Sequence, residues 1–348
     1  MTRALKTTTN LKQLSEILKL SQTTVSRALN GFPEVSEKTR QRVLQAAEQQ
    51  NYAPNARAKR LATGRSMAIG HVVPVSTEHE MVNPIFADFI AGASARYAQS
   101  GYDLLLTLVA DEDEFSTYKD LVARSAVDGV VVHAPKINDS RIALLNDLDL
   151  PFVVHGRSSG ITEEYNWVDV NNEGAFFTAT EYLIETGHKR IALINGQTEM
   201  DFAMRRMNGY RRALAEYGIA FSEQYLFAGE MTEPYGRHSA MQLLQGANPP
   251  TAIIASSMIV ANGVRRAVHD MGLELGRDIS VVTHDDDLSY FRDDSAVPVF
   301  TATRSSVREA GTKSADLLIN AIEKPNQEKH GILLKAKLKI GQSTAPLK

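Results

Sequence analysis

The sequence predicts a small all-α head at the N-terminus, followed by an α/β body that contains two doubly wound parallel sheets. Three observations lead to this prediction. Apolar residues recur at helical spacing through residues 10–50. From Met67 onwards, short runs rich in Val and Ile alternate with helical stretches, and this alternation occurs twice. Basic residues are concentrated in the head, whereas the body is acidic.

The first two helical stretches of the head are short and closely spaced. Residues 11–18 carry apolar side chains at helical spacing, and Asn10 with Gln13 predicts a capping box. After a tight turn, Ser21 caps a second predicted helix over residues 22–29. Two such helices are typical of a DNA-binding helix-turn-helix, although an ordinary amphipathic hairpin has the same spacing.

The second helix is predicted to expose Gln22, Thr23, Ser26 and Arg27. In a helix-turn-helix this second helix enters the major groove, where Gln can pair with adenine and Arg with guanine. A third helix is predicted to begin after Ser36. The pattern therefore favours base recognition by the second helix.

Charge is segregated along the chain. Residues 1–66 contain twelve Lys and Arg against four Glu, which gives this segment a net charge of +8. Because the whole chain has a net charge of −3, the remaining residues have a net charge of −11. A polyanionic partner for the head explains this segregation, which a merely solvated charged surface does not. Residues 55–62 predict a short helix that needs DNA or a partner chain for stability, or else a basic linker.

Composition excludes several classes of protein. A chain of 348 residues is too long for one ordinary core. The absence of cysteine excludes disulfides, zinc–thiolate sites and cysteine nucleophiles. No apolar run approaches the length of a membrane span, and the N-terminus lacks the apolar core of a signal peptide, so we expect a cytoplasmic protein without a membrane partner.

Candidate ligand-binding residues of the body follow or end predicted strands, where parallel sheets bind ligands. An Asp–Arg combination would bind hydroxyls through charge-assisted hydrogen bonds, and an aromatic ring would cover an apolar sugar face. A solvated Arg and a core Trp are the alternatives. These candidates are Phe86, Arg157, Trp167, Arg206 and Asp285.

The three consecutive acids at residues 285–287 suggest a cation site or a catalytic carboxylate pair. Adjacent carboxylates in a loop point in different directions, which weakens that interpretation. The sequence shows no catalytic triad order, phosphate-binding glycine loop or zinc-ligand spacing. We therefore predict no catalytic residue, no metal and no cofactor.

The sequence resembles the lactose-repressor (LacI/GalR) family of bacterial regulators over essentially its whole length. The resemblance rests on runs in both the head and the body: residues 20–31 (LSQTTVSRALNG), 51–55 (NYAPN), 83–84 (NP), 187–191 (GHKRI), 206–210 (RMNGY) and 278–282 (DISVV).

This resemblance implies roles for individual residues. Base-reading positions are matched by Gln22, Thr23 and Arg27. Positions that contact the DNA backbone are matched by Asn10, Ser21, Thr24, Ser26, Asn30 and Asn55. A hinge helix is expected to place Ala58 and Leu61 at the minor groove, with Leu61 as an apolar wedge. The effector-binding positions are matched by Arg206 and Asp285, with Phe86, Arg157, Trp167 and Ser256 as further candidates.

The resemblance also implies a domain organisation, with a body like that of periplasmic sugar-binding proteins. Residues 1–54 form the helix-turn-helix domain, 55–66 the hinge helix and linker, and 67–348 the effector-binding and dimerisation domain. Within the latter, we expect an N-subdomain of about residues 67–168 and 303–325, and a C-subdomain of about residues 169–302 and 326–348.

We therefore predict a homodimeric transcriptional repressor of a carbohydrate uptake or catabolism operon. It binds a palindromic operator in double-stranded DNA and is released by a small sugar, an α-glucoside or a galactoside. A corepressor-type regulator is an alternative, against which weighs the expectation of few aromatic residues in the cleft. A sugar-binding protein or carbohydrate-active enzyme is a second alternative, which leaves the basic head without a role.

Overall fold

The structure is a computed structural model that describes residues 10–29, 32–50, 52, 64–74, 83–291 and 295–347. The chain divides into two compact units, Met1–Ser66 and Met67–Lys348. We call the first unit the head and the second the body.

The described part of the head contains three helices, α1 (Leu11–Leu18), α2 (Gln22–Leu29) and α3 (Glu37–Gln49). The predicted capping box is present: Asn10 Oδ1 accepts the backbone N–H of Gln13, and Gln13 Oε1 accepts that of Asn10, each at 2.9 Å. Apolar residues of all three helices form one small core, made of Leu14, Leu18, Val25, Ala28, Val35, Val43 and Ala47.

In the described part of the body, strands and helices alternate along the chain, as predicted. The strands are β1 (Ala68–Pro74), β2 (Asp103–Val109), β3 (Gly129–His133), β4 (Phe152–His155), β5 (Asn166–Val170), β6 (Ile191–Asn195), β7 (Leu226–Ala228), β8 (Ala252–Ala255), β9 (Ser280–Asp285), β10 (Thr301–Arg304), β11 (Gly331–Leu334) and β12 (Lys337–Lys339). The helices are α4 (Pro84–Gln99), α5 (Glu114–Ala123), α6 (Ser140–Asp147), α7 (Asn172–Glu185), α8 (Asp201–Glu216), α9 (Glu233–Gln245), α10 (Met258–Asp270) and α11 (Val307–Glu323).

The strands form two six-stranded sheets. The first has the order β11-β5-β4-β3-β1-β2, and every pair in it is parallel. The second has the order β12-β10-β9-β8-β6-β7, in which the β10–β12 pair is antiparallel and the others are parallel. Helices cover both faces of each sheet, so the predicted doubly wound fold is confirmed.

The chain passes between the two sheets three times: after β5, between β10 and α11, and between β11 and β12. The predicted subdomain boundaries need correction at each of these points. Residues 169–170 extend β5 in the first sheet, and residues 331–334 pair with β5. Residues 303–304 extend β10 in the second sheet, beside β9. The hydrogen-bonded ladders, rather than sequence similarity, determine where each subdomain ends.

Helices α4 and α11 pack against each other through glycines. A Cβ atom added at Gly311 would lie 2.2 Å from the carbonyl oxygen of Phe89, and one added at Gly92 would lie 2.1 Å from that of Arg308. The two backbones are therefore too close for any side chain at these positions. No helix among the described residues is long and apolar enough to cross a membrane.

We expect Gly311→Ala to lower the stability of the body by about 1–3 kcal/mol, because overpacking forces α4 and α11 apart. Urea unfolding followed by circular dichroism measures this loss. Gly246→Ala is the matched control: its added Cβ meets no atom closer than 3.4 Å, and its φ of −64° suits alanine. Equal stability of the two variants would show that the helices separate without cost.

Candidate functional site

The head exposes one face of α2. Gln22, Thr23 and Arg27 are exposed, whereas Val25 and Ala28 on the other face are buried in the core of the head. The three predicted base-reading side chains therefore lie together on an accessible face. A helix that is anchored by its apolar side and exposes hydrogen-bonding groups suits insertion into a major groove.

The predicted backbone-contacting residues cluster at the N-terminal ends of α1 and α2. Asn10 caps α1, and Ser21 Oγ accepts the backbone N–H of Thr24 at 3.0 Å, while Ser26 is half-buried on α2. Helix N-termini favour anions such as phosphate. The remaining positions predicted to contact DNA lie outside the described residues; they are Asn30, Asn55, Ala58 and Leu61.

The body contains a cavity of about 540 Å³ between the carboxyl ends of its two sheets. His133 and His155 end β3 and β4, Asp169 lies near the end of β5, and Gly196 and Asp286 follow β6 and β9. This is the edge at which doubly wound sheets bind ligands. The volume lies within the range of small-molecule sites.

Arg206 is held rigidly in the wall of this cavity. Its Nε donates to Asn172 Oδ1 at 2.8 Å, and its Nη1 donates to the carbonyl oxygen of Ser256 at 2.7 Å. The guanidinium lies 5.0 Å from the ring centre of Phe176 and 4.9 Å from that of Phe202. Among the described residues, these hydrogen bonds use two of its five N–H donors, so the others are available to a ligand.

Two carboxylates balance the charge of Arg206. Burial lowers the pKa of Arg206 to about 10, while Asp286 and Asp169 favour its charged form. Burial also disfavours ionisation of Asp286, but His284 and Arg206 outweigh this effect and hold its pKa below the ordinary value. At neutral pH the cavity therefore contains a charged donor near a charged acceptor.

Asp169 extends this arrangement to a second arginine. Its Oδ2 accepts from Arg157 Nε at 2.8 Å, and its Oδ1 accepts from Asn172 Nδ2 at 3.2 Å. Because Asn172 also accepts from Arg206, four side chains form a continuous network. Burial raises the pKa of Asp169, although Arg157 acts in the opposite direction. We call Arg157, Asp169, Asn172 and Arg206 the polar network.

The first sheet and α4 contribute an aromatic wall made of Phe86, Phe89, His133 and His155. The rings of Phe89 and His155 stack at a centroid distance of 4.2 Å. His133 meets Phe86 and Phe89 edge-on at 5.2 and 4.9 Å. Flat apolar rings of this kind cover the C–H face of a sugar or stack on a planar base.

Loops of the two sheets are hydrogen-bonded across one side of the cavity. The backbone N–H of Asp201 donates to Pro135 at 3.1 Å, and that of Ile137 donates to Glu199 at 3.0 Å. Asp201 Oδ2 also accepts the backbone N–H of Ser159 at 2.5 Å. These bridging contacts close the cavity on that side.

Comparisons with known proteins find matches to both the head and the body. Residues 19–55 match the family described as bacterial regulatory proteins, lacI family, and residues 180–344 match the periplasmic binding protein-like domain. The HTH-type transcriptional regulator AglR of Rhizobium meliloti (strain 1021) is 43% identical over 341 residues, which cover 97% of this chain and 94% of the relative. The chain belongs to the lacI family.

Two solved structures of lacI-type proteins superpose on nearly the whole chain. The lac repressor dimer bound to operator and the anti-inducer ONPF has a TM-score of 0.79 at 26% identity, covering 97% of this chain and 99% of that one. The CelR–cellobiose complex has a TM-score of 0.72 at 27% identity, covering 96% and 99%. The chain is accordingly a DNA-binding transcriptional regulator, from a family of regulators rather than enzymes.

The structure brings three of the six predicted effector-binding residues of this lacI-family regulator to the cavity. These are Phe86, Arg157 and Arg206. Ser256 contributes only its carbonyl oxygen to Arg206, because its hydroxyl is buried, and the neighbouring Ser257 lines the cavity instead. The ring centre of Trp167 lies 4.9 Å from the guanidinium carbon of Arg157, and Trp167 packs, partly buried, against the core of the first subdomain, the one built on the first sheet.

Asp285, predicted to bind the effector together with Arg206, does not line the main cavity, whereas the next residue, Asp286, does. Asp285 lines a separate cavity, where its Oδ2 lies 3.4 Å from Arg304 Nε and its Oδ1 accepts the backbone N–H of Asp287. Successive residues of a strand point to opposite sides, so Asp286 faces the main cavity.

Sequence reasoning missed several residues of the cavity. The signal that could have found them is their position at strand ends. His133 and His155 end β3 and β4, Asp169 is the penultimate residue of β5, and Asn172 lies two residues beyond β5. The expectation of few aromatic residues was also wrong, because the lining includes Phe86, Phe89, Phe202 and Phe291. Of these, Phe86 was a predicted candidate, whereas Phe89, Phe202 and Phe291 lie in three separate elements and were not marked by any local pattern.

Three neighbouring histidines of the first subdomain are uncharged at neutral pH. Burial lowers the pKa of His71 to about 3 and that of His155 to about 4, and it holds the pKa of His133 well below 6.5. Among the described residues, no group of three His, Cys, Asp or Glu is arranged to hold a metal ion. The histidines therefore act as neutral hydrogen-bonding groups.

We expect stability to fall as the pH drops below about 6.5, where the unfolded chain gains protons that these buried histidines do not. His71 alone contributes a loss of about 2 kcal/mol between pH 7.5 and pH 5. His71→Gln should therefore flatten the dependence of stability on pH, as measured by urea unfolding. His269→Gln, at a side chain that is 91% exposed, is the control and should leave it unchanged. Parallel curves for both variants would contradict the assignment.

Proposed function

We propose that this lacI-family regulator is a homodimeric repressor that binds a palindromic operator and releases it when a small sugar occupies the body cavity. An α-glucoside or a galactoside is the proposed sugar. The observation that carries the proposal is the combination, in one cavity, of a rigid Arg206 and an ionised Asp286 with an aromatic wall.

The chemistry of the cavity suits hydroxyl groups. Charged donors and acceptors form short hydrogen bonds with hydroxyls, and the polar network holds them in fixed positions. The rings of Phe86, Phe89 and His155 suit the apolar face of a pyranose. The related CelR was solved with cellobiose, and a volume of about 540 Å³ leaves room for more than one sugar ring.

Dimerisation is supported by an apolar stripe on the edge strand β2. Leu104, Leu106 and Leu108 are all exposed there, an arrangement that usually marks an interface. The related lac repressor was solved as a dimer on its operator. A symmetric dimer presents two copies of α2, which accounts for a palindromic site. Because a repressor must reach its operator DNA, we place the protein in the cytoplasm.

Release follows from linkage between the sugar and the arrangement of the two subdomains. A ligand that prefers one arrangement shifts the population towards it and away from the DNA-binding one. The backbone bridges from Pro135 to Asp201 and from Ile137 to Glu199 are contacts that such a shift would change.

Asp286→Asn should weaken sugar binding at least about tenfold, because a charged acceptor is lost from the cavity. The adjacent Asp285→Asn is the matched control and should bind sugar normally, since Asp285 faces away. Calorimetric titration with the sugar found by screening measures both. Equal weakening in the two variants would point to general destabilisation, and a defect in Asp285→Asn alone would reverse the assignment.

The proposed function is tested by a thermal-shift screen of sugars followed by gel retardation with the regulator's own operator. A sugar that binds only the folded state raises the melting temperature. We expect the same sugar to release DNA. Arg27→Ala should cost about 1–3 kcal/mol on operator and little on random DNA, while sugar binding stays intact. Failure of every sugar in both assays would refute the effector proposal.

A corepressor-type response is the second candidate, and the aromatic wall favours it because a planar base could lie against the rings of Phe86 and His155, which line the cavity. Purine bases and nucleosides therefore belong in the same screen. If one of them raises the melting temperature and strengthens retardation of the operator, the corepressor alternative replaces the sugar-induced one.

A further inference from the structure

Three hydrogen-bonding side chains lead from the core of the first subdomain to the cavity. His71, in the middle of β1, is fully buried, and Tyr97 of α4 is 1% exposed. The Tyr97 hydroxyl lies 3.0 Å from Nε2 of His71, and Nδ1 of His71 lies 2.9 Å from Nε2 of His133. His133 lines the cavity, so this relay ends at the ligand site.

The hydrogens of the relay have two consistent arrangements, because each neutral imidazole donates from one nitrogen and accepts at the other. In the first, Tyr97 donates to His71, His71 donates to His133, and His133 carries its hydrogen on Nδ1. In the second, all directions are reversed, and Nδ1 of His133 is an acceptor. Both imidazoles are neutral at physiological pH, since burial lowers their pKa values.

The buried tyrosine distinguishes the two arrangements. In the second one, the O–H of Tyr97 would need another acceptor, and among the described residues its hydrogen bond is to His71. A buried donor without an acceptor is costly, so the first arrangement is favoured. Nδ1 of His133 has no hydrogen-bond partner among the described residues and is not enclosed, which leaves it open to the cavity.

We propose that Tyr97 and His71 are positioning residues that fix His133 as a hydrogen-bond donor, through Nδ1–H, towards the ligand. Where that ligand is a sugar effector, the inference rests on the function proposed above. A fixed donor binds any ligand oxygen that accepts, and only this tautomer can serve oxygens that have no hydrogen to donate, such as the ring and glycosidic oxygens of a glycoside. His155 differs, because no hydrogen bond with the described residues fixes its tautomer.

The test is long-range 15N–1H correlation NMR of the full chain with 15N-labelled histidine, with signals assigned through His133→Gln. We expect wild-type His133 to be protonated on Nδ1 alone. Tyr97→Phe keeps the ring but removes the donor, so the Nδ1 signal should move towards that of an unprotonated ring nitrogen. Tyr118→Phe is the matched control, because Tyr118 is equally buried but bonds to Glu114. It should leave His133 unchanged.

Protonation of wild-type His133 on Nε2, or an unchanged His133 signal in Tyr97→Phe, would overturn the proposal. If Tyr97→Phe fails to fold, His71→Gln interrupts the relay one step nearer the cavity and should also release the His133 tautomer. The measurement needs no sugar. Failure of all sugars to bind would therefore count against the proposed function, whereas the NMR result alone decides whether His133 is a fixed donor.

Discussion

The body cavity depends on the burial of one positive charge. Arg206 lies between two phenylalanine rings and cannot be solvated by bulk water, so its charge must be balanced by nearby carboxylates. Asp169 and Asp286 provide that balance, and each of them is in turn held by other side chains. Removing the arginine would leave Asp286 without the guanidinium charge beside it, whereas Asp169 would keep its ion pair with Arg157. Losing a counter-charge in a buried site is far costlier than losing a surface ion pair.

The polar network also spans the first passage of the chain between the sheets. Arg157 and Asp169 belong to the first sheet and its loops, whereas Asn172 and Arg206 belong to α7 and α8 of the second subdomain. Any rotation of one subdomain against the other changes the geometry of the Asp169–Asn172 contact, which joins them, while the Asn172–Arg206 contact moves with the second subdomain. The residues offered to a ligand are therefore the same residues that join the subdomains, so binding and subdomain arrangement are physically coupled.

Local patterns predicted the parts of this structure that depend on local forces. Helical periodicity and the Asn10 cap predicted α1 and α2, and the alternation of apolar runs with helical stretches predicted both sheets. Whether Asp285 or Asp286 faces the cavity depends on the exact residue at which β9 ends. The hydrophobic pattern of the sequence does not locate a strand end to within one residue. The membership of β11 in the first sheet depends on pairing with a distant strand, for which the sequence carries no local signal.

The position of β11 has a consequence for the order in which the body is built. Gly331 pairs with Trp167, and nearly the whole second sheet is encoded between these two partners. During synthesis the N-terminal segments leave the ribosome first. One side of β5 in the first sheet therefore stays unpaired until β11 has been synthesised. An unpaired strand edge is a template for association with other chains. Translation that stops anywhere before β11 would therefore leave this nascent protein with an open edge, in need of chaperones or degradation.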